Sequence, residues 1–141
     1  MNSSRKISNN RILVVDDEED VLDFLGIFLG SLGWSVTSVS SSLRALEEVG
    51  RREYFLVITD IAMPDMDGYE FVTTLRRREA ACRVALMTGF GYNPKHTLVK
   101  INRSMRCPFY FKPFDRTKLA EGVQQSWIDY HRELLKTAAS D

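Results

Sequence analysis

Four short apolar runs in this chain each end on polar or charged residues. Asp16 and Asp17 follow the first run, Asp60 follows the second, Thr88 the third and Lys112 the fourth. The carboxyl ends of strands in an open parallel sheet converge on one crevice, where ligands bind. The pattern therefore predicts a site that gathers three carboxylates, a hydroxyl and an ammonium at one edge of a sheet.

The segments between these runs indicate an α/β fold. Apolar residues recur at helical spacing in 21–32, 68–78 and 119–134, a serine cluster at 40–42 offers an N-cap, and a further helix is expected after Asn93-Pro94. Alternating strands and helices imply a parallel sheet covered on both faces, so we predict a doubly wound three-layer sandwich of five strands and five helices. The strands are expected at about 11–15, 34–39, 55–59, 83–87 and 109–111.

Length and composition indicate a single domain. A chain of 141 residues can bury one core but not two, so we assign 11–136 to the domain, 1–10 to a flexible N-terminal tail and 137–141 to a C-terminal tail. A formal net charge of +0 gives no general attraction to nucleic acid or membranes. With no signal peptide or membrane span, and with Cys82 and Cys107 expected to be reduced thiols, we expect a cytoplasmic protein.

The gathered carboxylates point to a metal ion, because ionised carboxylates repel one another when no cation lies between them. Mg2+ prefers oxygen ligands, keeps several waters and often binds one or two carboxylates together with a phosphate. A plainer interpretation is that an acidic run only favours the start of a helix. We prefer that interpretation for residues 18–20. For Asp16 and Asp17 we predict metal binding, because they lie at a strand end facing Asp60.

The same residues suit phosphoryl chemistry. A carboxylate beside Mg2+ can act as a nucleophile on phosphorus and form an aspartyl phosphate. Such a transfer needs mainly positioning and neutralised charge. Lys112 can pair with a phosphate oxygen, Thr88 can donate its hydroxyl, and backbone amides after Asp60 can donate as well. Each residue alone is a weak signal, whereas the four strand ends in this order are a strong one.

Four motifs carry a resemblance to a known family. They are Val14-Val15-Asp16-Asp17, Asp60-Ile61-Ala62-Met63-Pro64-Asp65-Met66-Asp67-Gly68, Met87-Thr88-Gly89 and Phe111-Lys112-Pro113-Phe114. An aspartate followed by Met-Pro and Asp-Gly at these offsets is highly specific. With them the chain resembles a response-regulator receiver domain of two-component signalling, of the stand-alone single-domain type, over about residues 11–135.

The resemblance implies a ligand set and a fold. Asp60 would be the phosphoacceptor, and Mg2+ would be bound by Asp17 and Asp60 directly, by Asp16 mainly through water, and by the Ala62 carbonyl. The implied fold is flavodoxin-like, with a five-stranded parallel sheet in the order 2-1-3-4-5.

Four further residues take roles from the same resemblance. Thr88 and Lys112 would contact the phosphoryl group, and the bond between Lys112 and Pro113 is expected to be cis. Phe109 stands where the family keeps its switch aromatic, and a plain core phenylalanine explains that position equally well.

Two residues beside the site depart from the family's common pattern. Ala62 lies two positions after Asp60, and Phe90 lies two positions after Thr88. Polar side chains at these positions can help to align the water that hydrolyses an acyl phosphate, and neither alanine nor phenylalanine can do so. We therefore expect slow self-dephosphorylation.

The charge distribution suggests where a partner binds. Between Glu79 and Asp115 the chain has no acidic residue. A solvated basic helix explains any one of the basic residues there, but the set favours a protein partner with an acidic surface on the face formed by the fourth helix, fifth strand and fifth helix. Direct binding of nucleic acid is not expected. The residues assigned to this face are Lys95, Lys100, Arg103 and Arg106.

We therefore expect a phosphoacceptor that signals by changing its own surface. The phosphodonor would be a histidine kinase or a histidine phosphotransfer protein, and the output would be a downstream protein target, with a homodimer of the phosphorylated form as a further candidate. The domain would catalyse only its own phosphorylation and dephosphorylation, so it is not expected to be an enzyme in the usual sense.

There are four alternatives to this interpretation. A Mg2+-dependent phosphatase with an aspartyl nucleophile typically has a second aspartate two positions later, where this chain has Ala62. A receiver excised from a hybrid kinase or larger regulator would lack a terminus, and the starting Met1 argues only mildly against it. A receiver-like interaction module without phosphorylation is disfavoured by the complete acidic set with Thr88 and Lys112. A calcium loop at 65–68 lacks the spaced ligands.

Overall fold

The computed structural model describes residues 9–89 and 107–140. Its five strands are all parallel and follow the order β2-β1-β3-β4-β5, which confirms the expected sheet. The strands are β1 Arg11–Val15, β2 Ser35–Val39, β3 Leu56–Asp60, β4 Arg83–Thr88 and β5 Phe109–Phe111. The helices in the described residues are α1 Glu19–Ser31, α2 Ser42–Arg51, α3 Gly68–Arg77 and α4 Arg116–Ser140.

Alternate residues of the central strands enter two separate cores, because successive side chains of a strand point to opposite faces. Leu13 and Val57 pack with α2 and α3 on one face, and Ile12 and Ile58 pack with α1 and α4 on the other. All five residues of β3 are buried, as expected for a strand covered on both sides. Burial of each large aliphatic side chain contributes about 1.5–3 kcal/mol. The sheet that carries the site is therefore held from both faces.

Local sequence sets the starts and ends of several helices. Ser41 precedes α2 and its side chain accepts a hydrogen bond from the Arg44 amide, and Asp67 does the same for the Glu70 amide at the start of α3. After α1, Gly33 has a φ of 101°, a left-handed conformation that glycine adopts without steric cost. Its amide donates to the Gly30 carbonyl, so α1 ends in a compact turn.

Two expectations about helices need comment. Four of the five expected helices lie in the described residues, and the one placed after Asn93-Pro94 lies outside them. α4 runs to Ser140, so its last turn lies within the segment 137–141 that we assign to a C-terminal tail. Thr137 donates its hydroxyl to the Glu133 carbonyl one turn earlier, and the alanines that follow favour a helix. No helix in the described part of the chain is long and apolar enough to span a bilayer.

Candidate functional site

Three carboxylates meet at the carboxyl edge of the sheet. Val15 of β1 lies opposite Thr59 of β3, so Asp16, which follows β1, comes next to Asp60 at the end of β3. Asp16 is fully buried, Asp60 is buried and Asp17 is exposed. Each of the three offers an oxygen within 4.8 Å of the oxygens of the other two. The structure therefore brings the three predicted ligands together.

Lys112 places an ammonium among these carboxylates. Its Nζ lies 2.7 Å from Asp16 Oδ2, 2.8 Å from Asp60 Oδ2 and 3.2 Å from Glu18 Oε1. The Lys112 amide donates to the Thr88 carbonyl at 2.9 Å, which fixes the residue beside the end of β4. The bond from Lys112 to Pro113 is cis. The lysine thus reaches across the sheet edge from β5, and charge-assisted hydrogen bonds of this length are strong ones.

Burial and pairing oppose each other in this cluster. Burial raises the pKa of the Asp16 carboxyl above its usual value, and the hydrogen bonds from Lys112 and from the Glu18 amide only partly offset that effect. Burial lowers the pKa of Lys112, but its hydrogen bonds to Asp16 and Asp60 outweigh burial and raise the pKa above its usual value. Lys112 is therefore a firmly protonated ammonium that compensates the carboxylates.

The loop after Asp60 folds back towards the carboxylate. The Ala62 amide donates to Asp60 Oδ1 at 2.9 Å, while the alanine itself is exposed. The Gly68 amide donates to the Ile61 carbonyl at 2.8 Å, and a Cβ on Gly68 would lie 3.0 Å from the Ile61 Cα. A side chain at Gly68 would therefore crowd the backbone where the loop closes. One backbone amide already supports the Asp60 carboxylate from this side.

The same loop is also tied to the start of α2. The Asp65 carboxylate accepts hydrogen bonds from the Ser41 hydroxyl at 2.8 Å, the Leu43 amide at 3.0 Å and the Ser42 amide at 3.3 Å. Asp65 is exposed, and its slight desolvation raises the pKa of its carboxyl, but these hydrogen bonds outweigh that effect and lower the pKa below its usual value. A carboxylate at a helix N-terminus is also favoured by the helix dipole. The loop that carries Asp60's neighbours is therefore fastened to α2.

The remaining predicted residues lie on β4 and β5 or outside the described part of the chain. Thr88 ends β4 and is 4% exposed, and in the register of β3 and β4 Asp60 lies opposite Met87, so Thr88 is one position further along. Phe109 is half-buried and packs against the core that α2 and α3 cover. Pro113 is exposed. The residues that lie outside the described range are Phe90, Lys95, Lys100, Arg103 and Arg106.

Two site contacts were not anticipated from the sequence. Glu18, interpreted only as a favourable helix start, instead pairs with Lys112. A signal for this existed, since Glu18 stands at the N-cap, a position where glutamate is not a preferred residue. Asp65 had no such signal, because its partners at 41–43 lie at the start of α2, more than twenty residues earlier in the chain.

Comparison with known proteins gives a consistent picture. A family model described as the response regulator receiver domain matches residues 12–124. The response regulator protein PilR of Pseudomonas aeruginosa is 30% identical over 117 residues, which are 83% of this chain and 26% of that protein. The CAI-1 autoinducer sensor kinase/phosphatase CqsS of Vibrio cholerae is 31% identical over 119 residues, 84% of this chain and 17% of that protein. The chain thus spans about a quarter or less of these relatives.

A solved structure extends the likeness to the fold. The signal receiver domain of an HD domain-containing protein from Pseudomonas fluorescens Pf-5 superposes with a TM-score of 0.81 at 24% sequence identity. The match covers 89% of this chain and 91% of that one. At this identity the likeness concerns the three-layer fold, and it agrees with the strand order described above.

Proposed function

The chain belongs to the response regulator receiver domain family, and from this membership we propose that it is a phosphoacceptor of two-component signalling. Asp60 would receive the phosphoryl group from a histidine kinase or a histidine phosphotransfer protein. One observation carries the assignment to Asp60. Its carboxylate lies 2.8 Å from the Lys112 ammonium and beside two further carboxylates, at the edge where the strands end.

The transfer follows from the groups around Asp60. A carboxylate oxygen of Asp60 forms a bond to phosphorus as the bond from phosphorus to the donor's imidazole nitrogen breaks. The imidazole leaves with the bonding electrons and takes up a proton, and an acyl phosphate remains on Asp60. Lys112 would pair with one phosphoryl oxygen, and the Thr88 hydroxyl and a backbone amide after Asp60 would donate to others.

The acidic cluster fits a hard divalent cation such as Mg2+. Its three carboxylates offer oxygens within 4.8 Å of one another, and oxygen is the ligand atom that Mg2+ prefers. Asp16, Asp17 and Asp60 would bind the ion together with the Ala62 carbonyl. When bound, the ion would neutralise charge on the transferring phosphoryl oxygens.

The lifetime of the acyl phosphate depends on access by water. Ala62 is exposed next to the site, so water can approach, but the methyl group cannot orient it. Slow self-dephosphorylation is accordingly part of the proposal. The domain would act catalytically only on its own phosphorylation and its own dephosphorylation.

The signal would leave through the neighbouring surface. Negative charge added at Asp60 draws the Thr88 hydroxyl inward and shifts an existing equilibrium between two conformations, with Phe109 repacking on the same strand edge. The proposed partner face includes β5 and α4, which is the predicted fifth helix. Phe111 of β5 is 61% exposed. Its basic residues at 95, 100, 103 and 106 rest on sequence alone. A downstream protein or a second phosphorylated copy would bind there.

The proposal is tested by transfer of labelled phosphate. A phosphohistidine donor with Mg2+ should label the unchanged chain, and Asp60→Asn should abolish the label because amide nitrogen and oxygen are poor nucleophiles. Asp23→Asn, an exposed position on α1, is the matched control and should be labelled normally. Label retained by Asp60→Asn would refute the assignment of the acceptor.

A further inference from the structure

Glu18 occupies the N-cap position of α1, but its side chain does not cap the helix. It is the residue before α1, with extended backbone angles, and its side chain makes no capping hydrogen bond. Its amide donates to Asp16 Oδ1 at 2.8 Å, while its carboxylate accepts from Lys112 Nζ at 3.2 Å. Ser, Thr, Asp or Asn would cap the helix better. The carboxylate therefore contributes to the site rather than to the helix.

The three carboxylates that surround Lys112 differ in their other tasks. The side chain of Asp16 is fully buried and that of Asp60 is 10% exposed, and both belong to the group of oxygens that fits a cation. The side chain of Glu18 is 64% exposed and does not belong to that group. Among the described residues, Glu18 is thus the one carboxylate partner of Lys112 that a cation would leave available.

A cation and the ammonium would share two carboxylates. Lys112 Nζ lies 2.7 and 2.8 Å from carboxylate oxygens of Asp16 and Asp60, the residues that the proposed metal site uses. If those carboxylates bound a divalent cation, the Lys112 side chain, only 14% exposed, would have weaker hydrogen bonds to Asp16 and Asp60. A buried ammonium without a partner is costly, and like charge from the cation adds repulsion.

We propose that Glu18 is a positioning residue that retains Lys112 at the crevice while a divalent cation occupies Asp16 and Asp60. The inference rests on the proposed function, because it requires that cation. Glu18 contacts Nζ while the ammonium is already among the other carboxylates, so retention requires no movement of Lys112 away from the site. The ammonium then stays within reach of an incoming phosphoryl group.

The test measures binding of Mg2+ alone by titration calorimetry. Glu18→Gln is compared with Glu19→Gln, which removes the same charge one residue later from an exposed side chain that does not pair with Lys112. Both should weaken binding slightly through the lost charge. Glu18→Gln should weaken it by about threefold to fivefold more, the range of a largely exposed ion pair.

A second background isolates the ammonium. With Lys112→Met there is no ammonium to retain, so Glu18→Gln and Glu19→Gln should weaken Mg2+ binding equally. Equal effects in the presence of Lys112, or a difference that persists in Lys112→Met, would overturn the role of Glu18. The first comparison does not need the methionine variant and decides the matter if that variant fails to fold.

The experiment distinguishes failure of the proposed metal site from failure of the proposed role of Glu18. If the unchanged chain binds no Mg2+, both the metal site and the role of Glu18 are rejected. If it binds Mg2+ and both glutamate variants behave alike, the metal site stands and only the role of Glu18 is rejected.

Discussion

Replacing Gly122 with alanine should destabilise the fold at the junction of β5 and α4. A Cβ on Gly122 would overlap the Tyr110 hydroxyl and lie 2.9 Å from its Cζ and 3.1 Å from its Cε1. Tyr110 is 8% exposed, so its ring has little room to withdraw. Overpacking of a core costs about 1–3 kcal/mol, and the overlap puts this site at the upper end of that range. A gain of about 1 kcal/mol in helix propensity leaves a net loss of about 2 kcal/mol.

The assay is chemical and thermal denaturation, where about 2 kcal/mol corresponds to a lowering of Tm by roughly 8 °C for a domain of this size. Gly26→Ala in α1 is the matched control. Apart from the backbone of its own helix and its two chain neighbours, no heavy atom of the described residues lies within 4 Å of a Cβ there, so the helix gain of about 1 kcal/mol should appear as stabilisation. Opposite signs at two helical glycines would locate the effect in the contact with Tyr110.

Tyr110→Phe tests the cause directly. The Tyr110 hydroxyl has no hydrogen-bond partner among the described residues, and burial raises its pKa to about 12. Its removal should therefore be neutral or stabilising by about 1 kcal/mol, and it should reduce the cost of Gly122→Ala by at least about 1 kcal/mol. The reasoning is refuted if Gly122→Ala stabilises as Gly26→Ala does, or if its cost is unchanged in Tyr110→Phe.

Three further variants probe the site and its surroundings. Lys112→Met leaves the carboxylates without their ammonium, so the free energy of unfolding of the metal-free protein should fall by up to about 3 kcal/mol. Mg2+ should then raise the Tm of this variant more than that of the unchanged chain, and equal Tm shifts would contradict the pairing. Asp65→Asn should lower stability by less than about 1 kcal/mol, because the carboxylate is exposed. The pKa of Asp65 is 3.8 in the unfolded chain and lower in the folded protein, so its contribution to stability is present above pH 3.8 and is lost as the pH falls through the folded-state pKa. The denaturation midpoints of Asp65→Asn and of the unchanged chain should therefore converge in acid. A constant difference between them would count against the hydrogen bonds. Ala62→Asn should accelerate loss of label from Asp60 by up to roughly 100-fold, and an unchanged decay rate would reject the role of this position.

The sequence was informative wherever one residue's neighbours along the chain determine its environment. Apolar runs placed the strands to within a residue or two, and the serine cluster at 40–42 contains the cap of α2, Ser41. The predicted ligands Asp16 and Asp60 were found together because strand ends in a parallel sheet must meet.

Contacts between distant side chains were not predictable in this way. From the sequence, Glu18 was assigned only to the start of its own helix. Its ion pair with Lys112 depends on how the lysine side chain extends across the edge of the sheet, and the sequence does not specify that conformation. Asp65 and Ser41 belong to separate loops, and no periodicity relates them. The notch at Gly122 that receives the Tyr110 hydroxyl is likewise a property of how α4 lies on β5.

The contacts of Lys112 with residues far earlier in the chain affect when, during synthesis, the proposed phosphorylation site is complete. Lys112 follows Asp16 by 96 residues and Asp60 by 52, so its contacts are among the most non-local in the domain. Closing loops of that length is slow compared with local helix formation. During synthesis the acidic residues emerge first and carry uncompensated charge until the last strand docks. The proposed phosphorylation of Asp60 would then require the complete sheet, and incomplete chains would not be phosphorylated.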